Sequence, residues 1–513
     1  MNIFHSLMKK IPRIKFSWLP LVVYWICSSC STSRNAYSPA KKYAPAALQA
    51  DYKIFRGILE SAHPGLYWYT AKDSMDYFFN AGYAALRDSL TENEFRTRLS
   101  YVIAKIDCGH TSVKASKAYI RYVDTAREKA FPFIIKFWGD SMVLTANLWR
   151  QDPVFRRGTV LTSIDGKNAR QLTDTLFDYI TTDGFSLSGK YQTLSTGFTF
   201  GNLYQHVFGF SDSVHVRYLD SLGEEKQAFV KLYDFKGDTL KKSAKGENPD
   251  DNKKKKKPAP RLIYFSSVNL QLDTGLRTAY MTVATFDHHN HLRKFFKRSF
   301  KQIKKDRMTD LVIDVRSNGG GDAGLSTLLT RYLSDHKFRL ADSLYTIRPP
   351  SEYNKYIEKD FWYNMLTRFV TRKGKDGKYH FRYFEKHVYS PKKRDHFNGQ
   401  IYLLTGGNSF SATTLFVGDL KGQQNVTVVG EETGGGYYGN TAWIIQDVTL
   451  PNTKIRFRLP RFRMVIDKNR NKDGRGILPD VWALPSSEAI RRGIDYKAEK
   501  VRELIDLRRL QGN

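Results

Sequence analysis

Three stretches decide the reading of this chain: LVIDVRSNGGG at 311–321, IYLLTGGNSFSATTLF at 401–416 and VTVVGEETGGG at 426–436. Each opens as an apolar run of strand length and breaks into a glycine-rich turn. Runs that are apolar on both faces fit strands enclosed by helices in an α/β architecture. The middle stretch delivers Ser411 onto SATTLFVGDL, where Ala412, Leu415, Phe416, Val417 and Leu420 give a helical apolar face. A serine at a helix N-terminus lies where the macrodipole and free N–H groups favour developing negative charge. Ser411 is therefore a candidate nucleophile. The N–H of Ala412 is one oxyanion donor, and the Gly319–Gly321 loop, open to close backbone approach, is the expected source of a second. The competing reading makes Ser411 a simple helix N-cap, and the G-x-S-x-G elbow is absent around it.

Working outward, strands and helices alternate over 261–485. AYMTVATF (279–286) reads as a strand, LRKFFKRSFKQIKK (292–305) as an amphipathic helix and LSTLLTRYL (325–333) as another helix. From Ser486 to the end (486–513) the pattern is a C-terminal helix with Ser487 as its cap. Residues 236–260 carry the block Lys253 to Lys257 among Asp and Pro, the composition of a solvated linker. Before it, 119–235 is rich in short strands such as FPFIIKFW (131–138), SMVLTA (141–146) and VHVRYL (214–219). Within it, FRRGTVLTSIDGKNARQLTDTLFDYI (155–180) resembles a PDZ-like module: a Gly turn, a strand, an Asp-Gly turn, then a helix. Such modules take an extended peptide as an added strand. Residues 46–118 form a helical N-terminal region, whose first helix ends at His63–Pro64 because proline pushes its predecessor out of helical geometry.

The N-terminus reads as an address. Lys9, Lys10, Arg13 and Lys15 precede an apolar stretch from Phe16 to Ile26, followed by Ser28, Ser29 and Cys30. This is the pattern of a secretory signal over residues 1–30. Cys30 with Ser31, Thr32 and Ser33 resembles a bacterial lipoprotein signal, with Cys30 as the lipidated residue and 31–45 as a tether. The expected place is the cell envelope, as a periplasm-facing outer-membrane lipoprotein. The chain has 513 residues and a formal charge of +31, from 82 Lys+Arg against 51 Asp+Glu. No nucleic-acid motif accompanies that charge, so a solvated basic surface is expected and no nucleic-acid partner. Three cysteines exclude a disulfide framework, His and Asp residues lack metal-ligand spacing, and no cofactor or metal is expected.

Six pieces, in this order, resemble peptidases of family S41, the C-terminal processing and tricorn-type serine proteases: DCGHTSV (107–113), RRGTVLTSIDGK, DVRSNGGG (314–321), NSFSATTLF (408–416), VVGEETGGG (428–436) and GRGILPD (474–480). The resemblance implies a crotonase-like (ClpP-like) catalytic core, a PDZ-like domain and polypeptide substrates. It puts the nucleophile at Ser411 and the oxyanion hole at Gly320 and Ala412. The processing branch's base lysine would follow the GExT turn, but Gly434, Gly435 and Gly436 stand there. The tricorn-type branch uses a histidine, which points to His110, with Asp473 as the nearest match to its distal acid. That branch's extra serine beside the base is replaced by Gly109. The expectation is an exported serine endopeptidase with a Ser411–His110 mechanism. The alternative is an inactive relative that binds peptides or hydrophobic ligands as a membrane-anchored scaffold.

Overall fold

The computed structural model describes residues 37–126, 128–236 and 267–511. The signal and Cys30, the Lys253–Lys257 block and most of the linker lie outside the described residues.

The three stretches that end in glycine turns form neighbouring parallel strands: Asp310–Asp314, Gln400–Thr405 and Val426–Gly430. They sit in a six-stranded sheet flanked by Thr278–Val283, Val268–Asp273 and Val481–Trp482. Only Val268–Asp273 runs antiparallel to its neighbour within this sheet. Alternation along the strands explains their apolar character. Leu311, Ile313, Ile401, Leu403 and Val428 pack with Phe296, Phe300 and Phe416 on one face. Val312, Tyr402, Leu404 and Val429 pack on the other with Val501 and Ile505. Because the strands are parallel and in register, with Ile313 beside Leu403 and Leu403 beside Val428, their three glycine turns leave the sheet at one end. That carboxyl end is where open α/β sheets place their ligands.

A long hairpin, Gly439–Thr449 and Arg456–Val465, carries a second sheet with Ser343–Thr346, Tyr379–His380 and Arg372–Lys373. The N-terminal helices Pro45–Ala62, Lys72–Ala84 and Glu92–Ala104 bury Leu48, Phe55, Phe79 and Leu99 against Val448, Leu450, Phe457 and Leu459 of this hairpin. The helical region thus shares its core with the C-terminal half of the chain. The helix expected to stop at His63–Pro64 does so at Ala62. Residues 133–231 form a five-stranded antiparallel sheet in chain order, with helices inserted between Val160–Ile164 and Ser213–Leu219. The C-terminal segment differs from the single helix expected. Ser486, not Ser487, caps a short helix Ser487–Arg492, with its Oγ accepting from Ala489 N at 3.1 Å, and Gly493 at φ 69° breaks the chain before Tyr496–Gln511.

His63 caps the first helix and its Nε2 meets Thr111 Oγ1 at 2.8 Å in a buried site. Burial, aided by the Arg463 guanidinium, pushes its pKa down to about 3. A histidine is unperturbed near ~6.5 when the chain is unfolded, so the unfolded state takes up the proton first. The stability His63 contributes is full above about pH 6.5 and is lost as pH falls toward about 3. The thermal midpoint should therefore fall with acidification across this window, and His63→Gln should flatten that slope in melting curves recorded at successive pH values.

Candidate active site

Ser411 opens helix Ala412–Leu420 but is not a simple cap. Its backbone sits at φ 58° and ψ −120°, and its side chain makes no capping hydrogen bond. An N-cap serine sits in the extended region and its Oγ accepts from the first turn. A non-glycine residue in this region costs about 1–3 kcal/mol and persists only where its surroundings over-determine it. Here they do. Phe410 N and Thr413 Oγ1 both donate to Asn318 O, at 3.1 and 2.9 Å. Thr414 Oγ1 donates to Ser411 O at 2.6 Å, and Ser409 Oγ donates to Val315 O at 2.9 Å.

The glycine loop presses onto this turn. A Cβ on Gly320, at φ 102°, would lie 2.7 Å from Ser411 Cβ and 3.0 Å from Ala412 N. Gly320 is thus where the backbone needs glycine for close approach. Its N–H is nevertheless committed: it donates to Asn318 Oδ1 at 2.9 Å. This corrects the expected oxyanion donor. The next peptide is trans, and its carbonyl, that of Gly320, accepts from Phe286 N at 2.9 Å. The N–H of Gly321 on that same peptide therefore points away from Phe286, and among the described residues it has no acceptor. The N–H of Ala412, at the first helical position, has no intrahelical partner.

His110 is buried at 4% exposure. Its ring packs on Phe410, the residue before Ser411, with centroids 4.5 Å apart. Gly109 makes that possible: a Cβ there would lie 2.6 Å from Phe410 Cζ, which leaves no room for a serine beside the base. Among the described residues, neither ring nitrogen of His110 has a hydrogen-bond partner. The carboxylate facing it is Asp183, with Oδ1 3.7 Å from His110 Nδ1. Asp183 is buried, its Oδ1 accepts from Gly109 N at 2.9 Å, and its Oδ2 has no partner among the described residues.

Asp473, the acid expected from its place in the sequence, is exposed and closes its own turn by accepting from Arg475 N at 2.9 Å. The loop it stands in does reach the site, but through backbone: Phe185 N donates to Gly474 O at 2.8 Å, two residues beyond Asp183. Sequence reasoning missed Asp183 because it reads as one more Asp-Gly turn. The signal was there in its flanks. ITTDGFSLS (180–188) holds no other charge, whereas Asp473 stands among Arg470, Lys472 and Arg475.

The segment carrying Asp183 is stitched to the glycine loops. Gly184 N donates to Asp107 O at 2.9 Å, Thr182 Oγ1 to Gly434 O at 3.3 Å and Ser186 Oγ to Thr433 O at 2.9 Å. Gly435 approaches so closely that a Cβ would lie 3.1 Å from Ser411 N, so backbone fills the place where a base lysine would follow the GExT turn. Glu432 is buried and receives Arg475 Nε and Nη2, at 2.9 and 2.7 Å, fixing this turn to the GRGILPD segment. A cleft of about 470 Å³ lined by Gly109, Ile180, Thr181, Asn202 and His206 opens beside the histidine.

Cys108, His110 and Asp183 each offer a metal-ligating atom within 4.8 Å of the others. Burial pushes the Cys108 thiol up to about 12, and it donates to Thr441 O at 3.6 Å, so the set lacks a thiolate. The same burial makes Cys108 a poor nucleophile.

With this geometry in place, comparison with known proteins is informative. Residues 277–483 match the sequence model of peptidase family S41. They form an S41 peptidase domain. That domain is of a serine-type peptidase family, for which polypeptides are the substrates implied. No curated protein matches the chain by sequence. Among solved structures, a mutant of CPAF is similar at a TM-score of 0.63 and 13% identity, covering 90% of this chain and 96% of that one. Mature CPAF complexed with lactacystin is similar at 0.60 and 14%, covering 90% and 98%. The photosystem II D1 C-terminal processing protease matches at 0.39 and 15%, covering 88% and 98%. The CPAF likeness is one of fold and extends well beyond the family-matched residues.

The strain at Ser411 yields a prediction. Ser411→Gly removes both the nucleophile and the cost of its backbone conformation, whereas Ser411→Ala removes only the nucleophile. Ser411→Gly should melt a few degrees above Ser411→Ala, equivalent to about 1 kcal/mol. Equal midpoints in paired calorimetric scans would show that the turn is not strained.

Proposed function

We propose that this S41 peptidase is an endopeptidase in which Ser411 attacks the scissile carbonyl, His110 takes its proton and Asp183 supports His110. The observation that carries the reading is a pair of buried groups without partners among the described residues, both nitrogens of His110 and Oδ2 of Asp183, with the His110 ring packed on Phe410, the residue before Ser411. Buried polar groups without partners are rare and cost about 1–3 kcal/mol each, so a merely structural histidine would be expected to have found partners. A 3.7 Å gap between His110 Nδ1 and Asp183 is too long for a hydrogen bond, but a small ring movement on substrate binding closes it. Asp183 then fixes the tautomer that leaves Nε2 free to accept the serine proton, and the imidazole returns it to the leaving amine. The N–H groups of Ala412 and Gly321 are assigned to the oxyanion. The six-stranded sheet is read as the crotonase-like core. The five-stranded sheet, with its Asp165–Gly166 turn before helix Ala169–Leu176, is read as the PDZ-like module that recruits substrate.

The export signal and the lipid on Cys30 belong to the same reading and rest on the sequence of residues 1–30. Labelled fatty acid should be incorporated into the wild type and not into Cys30→Ala; label kept by the variant would remove the anchor.

The mechanism is tested on an unstructured polypeptide such as casein. Ser411→Ala and His110→Ala should each lower kcat by several orders of magnitude. Asp183→Asn should cost roughly 10²–10⁴-fold, and Asp473→Asn should stay within about twofold. Only neutral imidazole accepts the serine proton, so kcat/KM should fall about tenfold per pH unit on the acid side. Near-normal turnover in His110→Ala, or a larger loss in Asp473→Asn than in Asp183→Asn, would contradict the assignment.

A further inference from the structure

Helix Asp360–Val370, DFWYNMLTRFV, is built inside out. A surface helix normally buries its apolar stripe and shows its polar one. Here the inward face carries buried polar groups around one ring, Tyr363, which packs beside Phe462. Asp360 accepts from Arg461 Nη1 at 2.8 Å, with both side chains buried. Tyr363 OH meets Thr346 Oγ1 at 2.6 Å, and the Arg461 guanidinium lies over the Tyr363 ring at 4.0 Å. Thr367 is buried beside them. The outward face is apolar: Phe361, Trp362, Met365 and Phe369 are 72, 62, 42 and 74% exposed. At about 100° per residue these four share one side of the helix. The polar network holds the helix, so these side chains are not what seats it on the fold. A contiguous exposed apolar patch of this kind marks an interaction surface.

The surroundings select the partner. Exposed Arg368, Arg372 and Lys373 border the patch, and exposed Lys355, Lys359 and Lys375 extend the rim. Of the acidic residues in this stretch, Asp360 is buried against Arg461, and Asp376 is engaged by His380 at 3.1 Å. Glu352 and Glu358 are exposed, which leaves the rim in basic excess. A two-fold contact between copies of the chain would set this rim against itself, in a molecule that already carries +31. A Trp–Phe–Met face with a Lys/Arg border matches instead an anionic lipid surface, into which such helices sink their apolar side chains. Among the described residues no helix is long and apolar enough to cross a membrane, so the contact is one that lies on the surface.

We propose that helix Asp360–Val370 docks the protein on anionic lipid headgroups, with Phe361, Trp362, Met365 and Phe369 inserted and Arg368, Arg372 and Lys373 pairing with phosphates. This contact is independent of any acyl chain and of the peptidase chemistry. The test uses the full chain carrying Cys30→Ala, so that no acyl chain contributes. It is cosedimented with vesicles of phosphatidylcholine alone and of phosphatidylcholine with phosphatidylglycerol. Binding should require phosphatidylglycerol, weaken in ~0.5 M salt, and drop roughly tenfold or more in the triple variant Phe361→Ser, Trp362→Ser, Phe369→Ser. The triple variant should keep its melting temperature and casein turnover, which shows that the fold is intact. Binding retained by the triple variant overturns the proposal, as does equal binding to neutral vesicles. So does a concentration-dependent dimer, dissolved by the same substitutions, in place of vesicle binding.

Discussion

The site depends on one buried carboxylate. Asp183 receives Gly109 N–H on one oxygen and faces His110 with the same side chain. It thereby joins the N-terminal DCGHTSV turn to a segment that leaves the five-stranded sheet. That segment is fastened in turn to the GEETGGG loop through Thr182 and Ser186, and to Gly474 through Phe185 N. Three distant parts of the chain are thus registered on the segment that carries this acid. A buried ionisable group of this kind is costly unless it is partnered. The incomplete pairing seen here is the kind of cost that proteins carry at functional sites.

The second constraint is the backbone around Ser411. Three parallel strands in register deliver three glycine turns to one end of the sheet, and Asn318 ties two of them together by accepting from Gly320 N, Phe410 N and Thr413 Oγ1. This bracing holds Ser411 at φ 58° and leaves the Ala412 N–H uncommitted at the helix start. The glycines serve different ends. Gly320 and Gly435 permit contact with the serine turn, Gly109 admits the Phe410 ring, and Gly321 presents an N–H. The strain and the free N–H groups lie at the strand ends, and the imidazole packs on Phe410, the residue before Ser411. That coincidence favours a working site over an inactive scaffold.

Much of this was legible in the residues. Apolar runs broken by Gly-rich turns gave the parallel strands, and LRKFFKRSFKQIKK gave its helix as Leu292–Lys305. Ser411 was visible as a serine at a strand-to-helix junction, and His110 through its DCGHTSV setting. Which carboxylate faces His110 was not read, because an Asp-Gly pair signals a turn wherever it occurs, and the uncharged flanks of Asp183 were the one sign that set it apart. The choice of Gly320 as donor failed for a related reason. Which N–H of a glycine run is free depends on where Asn318 points, a side-chain orientation that periodicity does not encode. The break at Gly493 was also hidden, since both sides of it have helical composition. The inverted helix Asp360–Val370 escaped notice because its pattern is amphipathic either way out, and its orientation follows from Arg461, about a hundred residues downstream.

The central claim is that Ser411 is activated by the arrangement around it. The most direct measurement is reaction of the wild-type enzyme with a fluorophosphonate, followed by mass mapping of the modified peptide. The account predicts a single stoichiometric adduct on Ser411, lost in His110→Ala although the serine remains. No adduct, or an adduct on a different serine, would contradict it.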